Sequence, residues 1–325
     1  LAGEITGLGI QDRVVERGAV SFRGDWSEVW RANWRLRTAN RVLVELGRWA
    51  ADDGPSIATG ARALAAGKLA PSPGIEVAPL LHPDRSFAIH AAVSLSTVRD
   101  ARWAALTAKD GLVDGQRDRW GRRADVDRRE PDLALRLRLH RGEATLWLDT
   151  SVEPLDHRGY REVTTAAPVR ENLAAAMVLA SGWDGTGSVF DPMCGSATLL
   201  IEAADWALGR APGERRERWN FERLPFFDRR EFLRVTNEPL PIFDPDLRLY
   251  GNDRSREAVS AARTNLARAA LIDRAVLSVG DAYEVSAPSK PGLVLINPPH
   301  GNRLEQTEED WKRLGDLLKR QFRGW

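Results

Sequence analysis

From Ala167 onward the chain alternates helical and extended patterns, and this alternation restricts the possible folds more than any other feature. The helical stretch "APVRENLAAAMVLASGW" leads into the apolar run "SVFDPM". Then come a helix in "SATLLIEAADWAL", a strand in "RLYGNDR", a helix in "EAVSAARTNLARAAL", and strands in "AVLSVGDA" and "GLVLINPP". Strands separated by helices build βαβ units around a parallel sheet. Such sheets bind their ligands outside the carboxyl ends of the strands. The residues that close each run are therefore the ones to read for chemistry.

The first half has a different rhythm. "GAVSFRGD" and "RVLVELG" read as strands on either side of the helix "WSEVWRANWRLRTAN", where Val29, Trp30, Trp34 and Leu36 supply an apolar stripe. "SFAIHAAVS" reads as a strand, with Ser96 and Thr97 as N-cap candidates for a helix through "VRDARWAALTAKDGLVD". "DLALRLRLHRGEATLWLDT" predicts a hairpin: Leu133, Leu135, Leu137 and Leu139 alternate with polar or small residues, and Arg141-Gly142 forms the turn. Arg136 and Arg138 then point outward. The polar, proline-containing stretch "EPLDHRGYREVTTAAP" marks a domain junction.

Four strand ends in the second half carry polar residues. In "FDPMCGSATLLIE", Asp191 closes the strand, Gly195 admits a close backbone approach, and Ser196 is expected to open the following helix. The loop is a loose relative of the dinucleotide fingerprint, with Ala197 where the last glycine would stand. Lacking a lysine, it suits a nucleoside without a phosphate tail better than a nucleoside triphosphate. Asp253 is placed to accept hydrogen bonds from ribose hydroxyls, and Asp281 from the exocyclic amine of an adenine. Any one of these is ordinary at a strand end. In this order they would ring one pocket for S-adenosylmethionine.

The fourth strand ends in Asn297-Pro298-Pro299-His300. Proline donates no ladder hydrogen bond and holds its predecessor in extended geometry, so Asn297 is fixed at the strand end. Its side-chain oxygen and the Pro298 carbonyl can each accept one hydrogen of a nucleobase amine. That orients a delocalised lone pair toward a methyl donor, which is catalysis by positioning and electrostatics. His300 stands where a ring would stack on a flipped base.

Composition sets limits. A net charge of +1 gives no global argument for nucleic acid. All but five of the 47 basic residues are arginine, the better phosphate ligand, although a GC-rich coding bias gives the same excess. A single cysteine excludes a disulfide framework and a cysteine-rich zinc site, and fits a reducing cytoplasm. No run of eighteen apolar residues suggests a membrane span, and no signal-peptide pattern opens the chain. The first residue is Leu1, so the expectation is that the natural N-terminus lies upstream.

"DPMCGSATLLIEAA", "NPPHGNRL", "HRGYR" and "APVRENLAAA" closely resemble the THUMP-containing RNA guanine-N2 methyltransferases, the bacterial 23S rRNA type above all. In the first half "FRGD", "AKDGLVD" and "VDRREPDLALRLRLH" resemble that family's ferredoxin-like and THUMP segments. The resemblance implies an α/β fold: a class I, Rossmann-like methyltransferase, truncated, behind an α+β ferredoxin-like/THUMP region. The segments implied are 1–52 ferredoxin-like, 53–152 THUMP and 153–325 methyltransferase, with the C-terminal strands of a seven-stranded sheet missing. Carried over by residue, Asp191, Cys194, Gly195, Ser196 and Thr198 form the cofactor loop, with Pro168 and Glu171 beside it. Asp253 holds the ribose and Asp281 the adenine. Asn297, Pro298, Pro299 and His300 receive the target amine, and Lys109, Arg136 and Arg138 are candidate RNA contacts. Two departures stand out: Ala197 replaces a usual glycine, and His300 a usual tyrosine or phenylalanine.

The expected activity is transfer of a methyl group from S-adenosyl-L-methionine to the N2 amine of a guanosine in 23S rRNA or a pre-ribosomal particle, in the cytoplasm, with no membrane or metal partner. Transfer to tRNA stays open. So does a catalytically impaired RNA-binding protein of ribosome assembly. A DNA adenine methyltransferase shares the Asn-Pro-Pro logic but would carry a different front half. Cysteine-based methylation of cytosine C5 is set aside, because Cys194 sits in the cofactor loop and no second cysteine exists to release product.

Overall fold

The computed structural model describes residues 1–151, 153–165, 168–288, 291–298 and 308–325. In chain order they form α1 (Ala2–Gly7), β1 (Arg13–Glu16), β2 (Ala19–Phe22), α2 (Trp26–Arg35), β3 (Leu43–Ala50), α3 (Gly54–Ala65) and α4 (Val77–Leu80). Next are β4 (Phe87–Ser94), α5 (Ala101–Trp120), β5 (Leu133–His140), β6 (Glu143–Asp149), α6 (Glu171–Ala180), β7 (Ser188–Asp191) and α7 (Thr198–Ala207). The chain continues through α8 (Arg229–Thr236), β8 (Arg248–Asp253), α9 (Arg256–Arg268), β9 (Ala275–Val279), β10 (Gly292–Val294) and α10 (Glu308–Gln321). Two compact units result. One gathers 1–40, 155–216 and 233–325; the other gathers 41–154 and 217–232.

The second of these units is built on a sheet of order β3-β6-β5-β4, in which only β4 and β5 run parallel. The expected hairpin is β5–β6. Arg141 (φ 50°) and Gly142 (φ 78°) both take left-handed conformations, as a two-residue hairpin turn requires. Leu135, Leu137 and Leu139 are buried, Arg136 is half-buried and Arg138 exposed, as the alternation predicts. α3 and α5 pack backbone to backbone. A Cβ on Gly111 would lie 2.3 Å from the Ala58 carbonyl oxygen, and one on Gly115 equally close to that of Arg62.

One expectation fails here. α5 is capped by Asp100, whose carboxylate accepts from the backbone N–H groups of Arg102 (2.8 Å) and Trp103 (3.1 Å). Ser96 and Thr97 lie too far upstream to reach those orphan donors. The Thr97 hydroxyl donates to the Asp52 carbonyl instead, and Ser96 Oγ accepts from the Val98 N–H.

The other unit holds a parallel sheet of order β10-β7-β8-β9. All four residues of β7 are buried, and its successive side chains serve opposite faces. Val189 joins a core with Ala174 of α6, Leu200 of α7 and Leu266 of α9. Phe190 joins Leu317 of α10 and Phe322, stacking on the latter at 5.3 Å between ring centroids. Helices therefore cover both faces, which is the doubly wound arrangement. Residues 1–40 are tied into the same unit by polar contacts. Arg31 makes a two-pronged bond to Glu238 (3.0 and 2.9 Å), the Gly213 N–H donates to the Trp34 carbonyl (3.0 Å), and the buried Arg158 donates to the Arg37 carbonyl.

Candidate active site

Because β10, β7, β8 and β9 are parallel, their carboxyl ends open on one side; Asp191 and Asp253 close β7 and β8, while Asp281 and Asn297 lie in the segments that follow β9 and β10. The loop after β7 is held from several directions. Asp191 Oδ1 accepts the Met193 N–H (3.0 Å), the Cys194 N–H donates to the Asn252 carbonyl (2.8 Å), and the Gly195 N–H donates to Asp253 Oδ2 (2.9 Å). Asp253 Oδ1 accepts the Ser255 N–H (2.9 Å). The Asp253 carboxylate is thus oriented by two backbone donors before any ligand arrives. Gly195 takes φ 51°, and among the described residues a Cβ there would meet only Thr165 Oγ1, at 3.7 Å.

Ser196 does not open the helix. α7 begins at Thr198, and its N-cap is Ala197 at φ 67°, a left-handed conformation that alanine adopts at a cost and glycine without one. A glycine here would take that angle without the penalty. Ser196 is buried one residue before the cap, and its carbonyl accepts from Asn265 Nδ2 (3.1 Å).

Burial dominates the electrostatics. Asp191 is 1 % exposed, and loss of hydration, reinforced by the nearby Asp253 charge, pushes its carboxyl up to about 8 against the single bond from Met193. Burial thus favours the neutral form of the Asp191 carboxyl. Burial, followed by Asp191 and Asp253, also pushes the Cys194 thiol well above its ordinary range. A thiol held protonated is no nucleophile, which agrees with setting cysteine chemistry aside.

Asp281 lies two residues beyond β9, exposed, with Oδ1 accepting the Tyr283 N–H (2.9 Å) and Oδ2 3.8 Å from Arg313, whose guanidinium lies over the Tyr283 ring at 4.1 Å. Asn297 and Pro298 follow β10 and are half-buried; Pro299 and His300 fall outside the described residues. Glu171, buried at the start of α6, accepts from Arg161 Nε (2.8 Å), whereas Pro168 is exposed. The RNA candidates are not equivalent. Arg136 is bonded to the buried Asp149 (2.6 Å), which also pairs with Arg41, and Lys109 on α5 is paired with Asp110. Arg138 on β5 is exposed.

Sequence reading missed the residues that hold the loop in place. Arg161 donates to Glu171, to the Val169 carbonyl (2.7 Å) and to Thr198 Oγ1 (3.0 Å), joining the approach to α6 with the start of α7. Tyr160, fully buried, donates to Glu202 (3.0 Å). Asn265 accepts from the N–H groups of Glu162 and Val163 and donates to the carbonyls of Val163 and Ser196. The available signal was a lone amide within the apolar stripe Ala258, Ala261, Ala262 and Leu266 of α9.

Among the described residues no helix is long and apolar enough to cross a membrane, and no group of His, Cys, Asp and Glu side chains is placed to hold a metal ion. Comparison with known proteins places the features in a family. Residues 1–43 match the RlmL ferredoxin-like domain and residues 57–149 the THUMP domain, which implies RNA binding. Solved structures share the fold over nearly the whole chain. "SMU.472, a putative methyltransferase complexed with SAH" is 26% identical, with a TM-score of 0.84 covering 98% of this chain and 82% of that one. A "predicted N6-adenine-specific DNA methylase" from Listeria monocytogenes is 28% identical, with a TM-score of 0.83 and the same coverage. A "possible methylase" from Clostridium difficile is 25% identical, with a TM-score of 0.84 covering 99% and 83%. The parallel sheet, its loop after β7 and the match of residues 158–325 to the RMKL-like methyltransferase domain together make this chain a member of that methyltransferase family.

Proposed function

We propose that the protein transfers a methyl group from S-adenosyl-L-methionine to the exocyclic N2 amine of a guanosine in RNA, with 23S rRNA or a pre-ribosomal particle as the leading target and the cytoplasm as its location. Segments 1–52, 53–152 and 153–325 would act as ferredoxin-like, THUMP and methyltransferase parts. The observation that supports this most is the adjacency of β10, which leads into Asn297-Pro298, to β7, which leads into the Asp191–Thr198 loop. Methyl donor and amine acceptor would then meet one strand spacing apart.

The residues present fit the cofactor. Asp253 offers ribose hydroxyls a carboxylate already aimed by Gly195 and Ser255, and none of the described residues crowds the Cα of Gly195. Asp253 puts a carboxylate beside a ligand that carries positive charge. When bound, the sulfonium supplies an activated methyl group. Asp281, beyond β9, would accept from the adenine amine. Cys194, Gly195, Ser196 and Thr198 would line the loop, with Pro168 and Glu171 beside it.

At the amine, Asn297 Oδ1 and the Pro298 carbonyl each accept one hydrogen, fixing the nitrogen lone pair toward the methyl group. Pro299 would help keep that carbonyl free for the amine, and His300 would stack on the base. No strong base is required, because the amine loses its proton only as it acquires positive charge. Lys109, Arg136 and Arg138 would contribute to RNA binding, with Arg138 the most accessible of the three.

The THUMP match favours RNA over DNA, although one structural neighbour is described as a DNA methylase. The test is methyl transfer to rRNA, tRNA and DNA from a strain lacking the gene, with the product nucleoside identified by mass spectrometry. N2-methylguanosine in rRNA is expected. N2-methylguanosine in tRNA alone moves the target, N6-methyladenine in DNA overturns the reading, and RNA binding without transfer to any substrate favours a ribosome-assembly role. In the same assay Asn297→Ala should cut transfer by about 100-fold or more with cofactor affinity held within a few-fold. Asp253→Ala should chiefly weaken cofactor binding, by about 10-fold or more, through lost charge-assisted bonds. Equal loss of both properties in both variants would show the roles misassigned.

A further inference from the structure

Asn252, at the penultimate position of β8, is 1 % exposed and fully engaged. Its side-chain amide donates to the Pro192 carbonyl (3.2 Å) and to the Gly280 carbonyl (2.9 Å). Its side-chain oxygen accepts from Ser278 Oγ of β9 (2.8 Å), and its own carbonyl accepts the Cys194 N–H (2.8 Å). One carboxamide therefore ties together the segments leaving three adjacent strands. Each tie falls beside an acid: Pro192 follows Asp191, Asn252 precedes Asp253, and Gly280 precedes Asp281. Peptide planarity carries the constraint from the Asn252 and Gly280 carbonyls into Asp253 and Asp281, and the Pro192–Met193 peptide fixed the same way carries the Met193 N–H that Asp191 Oδ1 accepts.

We propose that Asn252 is a positioning residue that sets the mutual spacing of Asp191, Asp253 and Asp281 before the cofactor binds. This deepens, and rests on, the cofactor reading above. Only a carboxamide of this length offers two donors and an acceptor at once. Aspartate, its isostere, would face two carbonyls with no hydrogen to give and would add a negative charge near Asp191 and Asp253. Alanine would leave two carbonyls and the Ser278 hydroxyl without their partner.

The experiment measures S-adenosylhomocysteine affinity by calorimetry for wild type, Asn252→Asp, Asn252→Ala and Ser278→Ala, each well below its own melting temperature. Hydrogen exchange is followed in the ligand-free proteins over residues 191–197 and 280–284. Gln116→Ala is the control. It removes a buried amide of the same kind in the other unit, where Gln116 bridges the Leu81 carbonyl (2.9 Å) and the Ala124 N–H (2.9 Å). The Asn252 variants are expected to bind ~10-fold or more weakly, the loss that follows from unpairing buried carbonyls, and to exchange faster in both loops. Ser278→Ala, which keeps the amide, should follow in the same direction by ~3-fold. Gln116→Ala should lower the melting temperature while leaving affinity within ~2-fold, as a destabilised but distant site does. If the Asn252 and Ser278 variants lose stability like Gln116→Ala but bind as wild type does, Asn252 is structural only and the inference is overturned. If wild type itself fails to bind, the cofactor reading falls and takes this inference with it.

Discussion

Asp191 shows how one buried group couples the site to solution conditions. In the folded chain it keeps its proton up to about pH 8, against an ordinary value near 3.8. Between those limits the folded state binds more protons than the unfolded state, so this group makes stability fall as pH rises from about 4 to 8. Asp191→Asn removes the titration, and thermal melts across that range should show a flatter profile than wild type, with the largest gain above pH 8. Parallel profiles would mean that the carboxyl is ionised throughout. Ala197 gives a second case. Its left-handed backbone costs about 1 kcal/mol or somewhat more, yet its methyl is fully buried and contributes about 0.8 kcal/mol. Glycine also has more freedom to lose on folding. Urea melts of Ala197→Gly should therefore differ from wild type by less than about 1 kcal/mol. Ala197→Val, β-branched in a left-handed and closed position, should cost about 3 kcal/mol or more. The acids at the strand ends were legible because each closes an apolar run. Asn252 was not, because nothing local distinguishes an amide that bridges three strand ends from one facing solvent, whereas Asn265 left only the faint signal of an amide within an apolar stripe.

At the level of elements, the alternating leucines predicted the β5–β6 hairpin and its turn, and the change of rhythm after the junction predicted a parallel sheet. Those signals are periodic and local. The start of α5 was misread because Ser96 and Thr97 look like caps in isolation, whereas the cap actually used, Asp100, is decided by where the helix begins. Interhelix distance is still less visible. Gly111 reads as a weak point in a helix, worth about 1 kcal/mol if replaced by alanine. In the fold it is where α5 touches the backbone of α3, with no room for a methyl beside the Ala58 carbonyl. Overpacking against main chain, at about 1–3 kcal/mol, outweighs the propensity gain. Gly111→Ala is accordingly expected to lower stability in denaturant melts, by up to about 2 kcal/mol; a more stable variant would mean that the helices separate at no cost.

At the scale of the whole molecule, a linear reading of segments says nothing about which of them share a core. Residues 1–40 belong to the same compact unit as the parallel sheet, through groups scattered along the chain: Arg31 to Glu238, Trp34 to Gly213, Arg37 to Arg158. Arg37 also donates to the Asp205 carbonyl of α7 (3.3 Å). Each partner reads as an unremarkable arginine or carbonyl until the fold unites them. Removing residues 1–40 would leave the Arg158 guanidinium, the Gly213 N–H and Glu238 without these partners and uncover apolar surface around Trp30 and Leu36. The buried Gly213 N–H left unpaired costs about 1–3 kcal/mol, and with the apolar surface uncovered as well the loss is a large share of the stability of a typical domain, about 5–15 kcal/mol. A chain beginning at residue 41 should therefore lose the protease resistance of 155–216 and 233–325 while 41–154 stays resistant. It should also lose S-adenosylhomocysteine binding, although none of the proposed cofactor residues has been removed. Undiminished binding by that shortened chain would show that the parallel sheet and its loops stand without the first forty residues.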